Sequence, residues 1–266
     1  MTREHLLEAL VNHIRDEVTT QKNILGIAVS APGLVDSEIG VCINAVNLND
    51  FANVPLCDIL TEHFDFPVIV ENEVRSSLYC SVFLERRHKP LDNAIYLDIT
   101  SGVGLAVLVH GSPVGGSNGA SGEIGHVKAG DENRLCRCGQ RDCLETYASV
   151  PAICNDINQA FGLELKTTDD IVAAQKQEPG ISEILKNACE HIAIPLSVMM
   201  AALDPEVVIL GNQPRSFYEL LLPYLKDALA RRLNGPATRN LDIEIAREHS
   251  SMRGSAMVLV DKLFQQ

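Results

Sequence analysis

Between His126 and Cys143 the chain reads HVKAGDENRLCRCGQRDC, which places one imidazole and three thiols, Cys136, Cys138 and Cys143, in a stretch rich in Gly, Asp, Asn and Arg. Three thiolates and an imidazole make a complete tetrahedral ligand set. Zinc suits such a set because it is borderline-soft, has no geometric preference of its own, and is closed off by four protein ligands where its role is structural. A closed site leaves no position for an activated water. The competing reading is three reduced loop cysteines beside an unrelated histidine; iron–sulfur ligation is disfavoured because only three cysteines are grouped. The other cysteines, Cys42, Cys57, Cys80, Cys154 and Cys189, are scattered and read as reduced core residues.

The elements that must hold this stretch follow from periodicity. Leu6, Leu7, Leu10, Val11, Ile14 and Val18 recur at helical spacing among charges. Ile24–Ser30 is a short apolar run ending in Ala31-Pro32-Gly33, a buried strand followed by a turn. PLCDILTEHF is amphipathic and helical, Pro67–Val70 is a second buried strand, and Asn72 stands where an N-cap would open a helix through Leu84. Strand and helix therefore alternate, as in a parallel α/β sheet. The charged, Pro-containing segment ERRHKPLDN then interrupts the pattern, and a domain boundary is expected near Asn93. Beyond it, AIYLDIT and GLAVLVHG read as two strands joined by Ser101-Gly102-Val103-Gly104. Helical stretches follow near 149–161 and 181–203, then the strand EVVIL, a helix near 215–233, the strand LDIEIA and a last helix to Phe264.

Composition bounds the partners. The 266 residues carry a formal net charge of −13, which repels phosphate backbones, so direct DNA binding by this chain alone is not expected. No apolar run approaches the roughly 20 residues of a membrane span, and the charged first helix lacks the continuous apolar core of a secretion signal. A cytoplasmic protein is expected.

The metal stretch carries a more specific signal. Gly122-Glu123-Ile124-Gly125-His126, followed by Cys136, Cys138, Gly139, Cys143 and Glu145, resembles the signature of the ROK family of sugar kinases and sugar-responsive repressors, Gly-Glu-x-Gly-His and then Cys-x-Cys-Gly-x-x-Gly-Cys-x-Glu. The single departure is Asp142, where the family usually has Gly; a backbone position of positive φ often accepts Asp. The similarity extends to SAPGLVD near the start and LDPEVVILGN near the end. It implies an α/β fold of the two-lobed, actin-like ATPase and sugar kinase (ribonuclease H-like) type with a zinc loop. The lobes expected are residues 1–93 with 247–266, and residues 94–246.

The resemblance also implies a sugar pocket. Matched residue by residue, its candidates are Gly33, Asn47, Asn72, Glu73, Glu123, His126 and Glu145. Carboxylates and amides suit this task because vicinal hydroxyls each offer a donor and two acceptors. His126 would serve twice, holding zinc through one ring nitrogen and a sugar hydroxyl through the other.

Kinases of the family read Glu-Asn-Asp where this chain reads Glu71-Asn72-Glu73, with the Asp as general base. Glu73 keeps the charge at that position but adds a methylene, and a displacement of about an ångström can cost a hundredfold in rate, so it is expected to be inactive. The Asn-Glu pairing is similar to the xylose-type repressors. Family kinases open with an Asp-x-Gly-x-Thr hairpin that cradles ATP phosphates; none precedes Ile24, so a truncated N-terminal lobe is expected. A second phosphate loop, usually Gly-Thr-Gly-x-Gly, survives only in degenerate form at Ser101, Gly102 and Gly104, and a Gly-Gly pair near the adenosine side is replaced by Gly211-Asn212. Together these departures argue against ATP as a cofactor.

The expectation is a regulator-like sugar-sensing domain similar to repressors of the N-acetylglucosamine and xylose type, binding a monosaccharide or phosphosugar without catalysis. It lacks the helix-turn-helix of those repressors, through loss of the DNA-binding part or because the chain is a fragment. A homo-oligomer and a regulatory protein partner are part of this expectation. The alternatives are an ATP-dependent hexose or N-acetylhexosamine kinase and a zinc-stabilised interaction module.

Overall fold

The computed structural model describes residues 2–45, 48, 50–84, 90–233, 242–246 and 250–264; Asn47, a candidate sugar residue, lies outside them. The chain divides into two compact units, Met1–His88 with Gly115–Ser121 and His249–Gln266, and Lys89–Val114 with Gly122–Glu248. Residues Gly115–Ser121 thus belong with the first unit although both their neighbours in sequence belong with the second.

In the first unit, helix α1 (Arg3–Thr20) is followed by β1 (Ile27–Ala31), β2 (Leu34–Asp36), β3 (Val41–Asn44), β4 (Ala52–Val54), α2 (Leu56–His63), β5 (Val68–Asn72) and α3 (Glu73–Tyr79). β1 and β5 pair in parallel, with Ala31 opposite Asn72, and β2, β3 and β4 form an antiparallel meander. The meander was not foreseen because its strands are only three or four residues long, too short for alternation to register. Val35, Cys42, Val54 and Leu56 are packed with Ala31 and Val70 in its core. The helix expected to run to Leu84 instead gives way at Cys80 to a π-helical turn, Cys80–Leu84. Such turns insert an extra residue into a helix.

The second unit is built on a five-stranded sheet of order β10-β9-β6-β7-β8, from β6 (Ala94–Ile99), β7 (Val103–Val109), β8 (Ser112–Pro113), β9 (Val207–Gly211) and β10 (Asp242–Ile245). β6, β9 and β10 run parallel, while β7 returns antiparallel beside β6. All six residues of β6 and all five of β9 are buried, as expected of central strands covered on both faces. Helices α4 (Glu145–Ala148), α5 (Val150–Phe161), α6 (Thr168–Gln175), α7 (Ile181–Leu203) and α8 (Arg215–Arg232) supply the rest of one continuous core. Their starts are written in local chemistry: Ser149 caps α5 with Pro151 in its first turn, and Thr167 with Asp170 forms a capping box on α6. The final helix, α9 (Ser250–Phe264), returns to the first unit, where it packs on α3 and β1. Among the described residues no helix is long and apolar enough to cross a membrane.

Candidate metal centre and carboxylate cluster

The turn that opens the metal stretch is fixed on β7. Gly122 adopts φ +95, and its amide environment is so close to the strand that a Cβ there would sit 1.7 Å from the carbonyl oxygen of Leu105. Only glycine meets both conditions. A 3₁₀ turn, Ile124–His126, then turns His126 towards a small hairpin in which Leu135 bridges Arg141 and Lys128 bridges Cys143. Cys136 N–H donates to the carbonyl of Gln140 at 2.8 Å and Gly139 N–H to that of Cys136 at 2.9 Å, which folds the two neighbouring thiols onto one side.

The four predicted ligands come together. One ligand atom from each of His126, Cys136, Cys138 and Cys143 lies within 4.8 Å of the others, so the cluster could hold a metal ion. Cys138 Sγ and Cys143 Sγ are 3.7 Å apart, against about 3.8 Å for two sulfurs each about 2.3 Å from a tetrahedral centre. His126 Nδ1 is 3.7 Å from Cys136 Sγ, while its Nε2 faces Glu123 Oε2 at 3.9 Å. The two ring nitrogens therefore face different partners, one the sulfurs and one a carboxylate. Burial, together with hydrogen bonding to the two other thiols, pushes the Cys143 thiol up to about 12. The three thiols do not ionise alike: burial raises Cys136, while at Cys138 burial is outweighed by hydrogen bonds, the largest from the Gln140 N–H, which lower it; a divalent cation deprotonates its thiol ligands outright. The donor set and spacing thus fit a metal of zinc's type.

Beside the candidate ligands, Glu145 is 8% exposed and its Oε1 forms an ion pair with Arg137 Nε at 3.2 Å. Arg137 Nη2 also donates to the carbonyl of Ser101 at 3.4 Å. A Cβ at Gly102 would lie 2.7 Å from Glu145 Oε2, so the carboxylate rests against the backbone of the β6–β7 turn. At the end of the adjoining strands, Asp98 is paired in register with Gly211, and Asn212 Nδ2 donates to Asp98 Oδ2 at 3.0 Å. Asn212 takes φ +64, and this left-handed turn brings its amide over the strand end. Asp98 had no signature in the sequence beyond an acidic residue in an apolar strand.

The hairpin is gripped from behind. Asp142 takes φ +60, and its Oδ1 accepts from the Tyr147 hydroxyl at 2.7 Å and from the Arg134 N–H at 2.9 Å. The Tyr147 hydrogen bond holds the Asp142 carboxyl below the usual carboxylate range, and burial pushes the Tyr147 hydroxyl up to about 12. The Tyr147 ring stacks on His191 with centroids 4.0 Å apart, and the Arg134 guanidinium covers it at 4.4 Å.

In the first unit, Asn72 Oδ1 accepts from the N–H groups of Val74 and Arg75, which starts α3, and its Nδ2 donates to the carbonyl of Gly33 at 2.8 Å. Three candidates are thereby set relative to one another, with Glu73 as the first residue of the helix. Burial raises the Glu73 carboxyl above the ordinary range. Sequence reasoning missed Arg75, which is 3% exposed and donates to Glu71 Oε1 at 2.7 Å, to Ser37 Oγ at 3.0 Å and to the carbonyls of Val35 at 3.0 Å and Gly119 at 3.4 Å. The last of these contacts holds the Gly115–Ser121 segment to the first unit.

The model of the ROK family matches residues 1–262. The chain belongs to the ROK family. Its architecture is accordingly the α/β, actin-like ATPase fold of ROK regulators and sugar kinases. It is 29% identical to the xylose repressor of Caldicellulosiruptor bescii over 98% of this chain and 70% of that protein. It is 27% identical to the N-acetylmannosamine kinase of Yersinia pestis over 94% of this chain and 83% of that one. Among solved structures, a ROK family transcriptional regulator that is a homologue of the E. coli MLC protein superposes with a TM-score of 0.86 at 22% identity, covering 98% of this chain and 69% of that one. The chain spans 60–70% of the length of the xylose repressors it matches.

Proposed function

We propose that this chain is the sugar-sensing domain of a ROK transcriptional regulator, binding a monosaccharide or phosphosugar without phosphorylating it. The observation that carries the reading is the joint state of two positions: Glu73 where family kinases place Asp, and Asn212 hydrogen-bonded to Asp98 where they place a second Gly. A lengthened carboxylate weakens general-base catalysis through misplacement, and an acidic strand end opposes the polyanionic tail of a nucleotide. Similarity to the xylose repressors supports the same reading.

In this proposal Gly33, Asn47, Asn72, Glu73, Glu123, His126 and Glu145 are the sugar-contacting residues. His126, Cys136, Cys138 and Cys143 would hold zinc, which would polarise the imidazole that faces Glu123. A reduced thiolate set suits a reducing compartment, which supports a cytoplasmic location. Ile194 and Val198, exposed apolar residues one turn apart on α7, support self-association.

Similarity to N-acetylmannosamine kinases favours the second reading, a sugar kinase. A coupled ATP-consumption assay with a panel of hexoses and N-acetylhexosamines separates the two: the sensor shows no turnover above background with any of them. Thermal shift with the same sugars and their phosphates then reports sensing, because a ligand of the native state at a hundred times its Kd adds about 2.7 kcal/mol. Robust turnover would establish the kinase instead.

A further inference from the structure

The position at which this chain departs from its family's metal motif is also the best-anchored point of the metal loop. Asp142 precedes the ligand Cys143, is 4% exposed, and accepts two hydrogen bonds on a single carboxylate oxygen, from the Tyr147 hydroxyl at 2.7 Å and the Arg134 N–H at 2.9 Å. Its backbone is held as well, the N–H donating to the Arg134 carbonyl and the carbonyl accepting from the Ala129 N–H, each at 2.8 Å. A glycine could adopt the same φ but would supply none of the carboxylate contacts.

The partners of Asp142 are themselves immobilised. Tyr147 is 2% exposed, its ring lies between Arg134 and His191, and its hydroxyl also accepts from the Glu132 N–H at 3.1 Å. Arg134 bonds both carboxylate oxygens of Asp156, at 3.1 and 2.9 Å, and the Thr146 carbonyl at 2.9 Å. His191 Nδ1 meets the Ala129 carbonyl at 2.7 Å, tying the stack to the segment that leads from His126. None of these groups is a candidate ligand, and none of the contacts depends on a bound ion.

We infer that Asp142 and Tyr147 are positioning residues for the metal centre, a brace that holds the Cys136–Cys143 hairpin in its liganding shape before an ion binds. A loop ordered in advance loses less conformational freedom on binding and must break fixed contacts before releasing the ion. The brace therefore tightens metal binding mainly by slowing release. The inference rests on the reading that the four ligands hold a metal, and it concerns residues beyond that ligand set.

The test uses the full chain loaded with Co²⁺ and, separately, with Zn²⁺. Asp142→Gly keeps the backbone conformation and removes only the carboxylate, so it is expected to fold and to lose Zn²⁺ to a chromophoric chelator at least tenfold faster than the parent. Its tetrahedral Co²⁺ absorption bands are expected to shift or broaden. Asp142→Asn retains an acceptor oxygen and is expected to stay within about threefold of the parent, whereas Tyr147→Phe follows the glycine variant in direction. Release rates within twofold of the parent, with unaltered Co²⁺ spectra in both Asp142→Gly and Tyr147→Phe, would overturn the brace. A parent chain that takes up neither ion would overturn the ligand assignment itself.

Discussion

Arg75 Nε donates to Glu71 Oε1 at 2.7 Å, four residues away, with 4% and 12% of the two side chains exposed. The same oxygen of Glu71 accepts from Ser37 Oγ at 2.7 Å and from the Asn72 N–H at 2.6 Å. Glu71 thus balances a buried cation and steadies the residue that opens α3. Removing one partner of a buried pair strands the other charge, which costs about 3–5 kcal/mol. Glu71→Ala is expected to lower the stability of the first unit by that amount in urea unfolding. A loss below about 1 kcal/mol would mean that the carbonyls of Val35 and Gly119 suffice to balance Arg75.

Glu73 makes the opposite case, a carboxyl whose surroundings disfavour its charge. Burial raises its pKa in the folded chain above the ordinary value near 4.5. Between the unfolded and folded values the native state binds more protons than the unfolded state, so stability falls as pH rises through that window. The contribution is fully favourable below the unfolded value and is lost above the folded one. Glu73→Gln removes the charge, so its melting temperature should exceed the parent's at pH 8, with the difference vanishing by pH 4. Equal differences at the two pH values would show that the carboxyl is not strained by burial. The same variant should weaken any sugar response, because Gln cannot accept a charge-assisted hydrogen bond in that position.

The hydrogen bond from Asn212 to Asp98 joins the ends of two neighbouring parallel strands. Asn212→Gly keeps the left-handed turn and deletes the donor of that bond. A hydrogen bond to a charged group contributes about 1.5–3 kcal/mol, and a loss of about 1–2 kcal/mol is expected after the gain from relieving a non-glycine residue at φ +64. Unfolding followed by tryptophan-independent circular dichroism suits this chain, which contains no Trp. An unchanged midpoint would show the bond to be energetically neutral.

These cases show what a single sequence reveals and what it conceals. The cluster of His126, Cys136, Cys138 and Cys143 was legible because its members are close along the chain and chemically distinctive, and the Asn72 cap was legible because capping is local. Asp98 and Asn212 are 114 positions apart and Arg75 and Gly119 are 44 apart, and no local pattern joins such partners. Asn212 stands out in sequence as a departure from the family, yet its partner is set by the pairing of β6 with β9. At Asp142 the sequence shows only a residue that tolerates positive φ, whereas the carboxylate contacts make it an anchor point. The β2–β3–β4 meander escaped because strands this short carry little periodicity, and the Gly115–Ser121 excursion escaped because its contacts, to Arg75 and to the backbone of Val35, are far away in sequence.

The metal itself gives the last prediction. Cys138 is the most accessible of the three ligand thiols, and a hydroxyl is a much poorer zinc ligand than a thiolate, so Cys138→Ser should carry little or no bound zinc by elemental analysis. A ligand that binds only the native state stabilises it by mass action, so the parent's melting temperature should fall when a chelator strips the ion. Cys138→Ser should melt at the same temperature with and without chelator, near the stripped parent. Because Asp142, Tyr147 and Arg134 grip the hairpin without an ion, both metal-free forms are expected to retain the far-ultraviolet spectrum of the folded chain. Collapse of that spectrum on chelation would show that the metal, and not the brace, folds the loop and its surroundings. Undiminished zinc in Cys138→Ser would instead remove Cys138 from the ligand set.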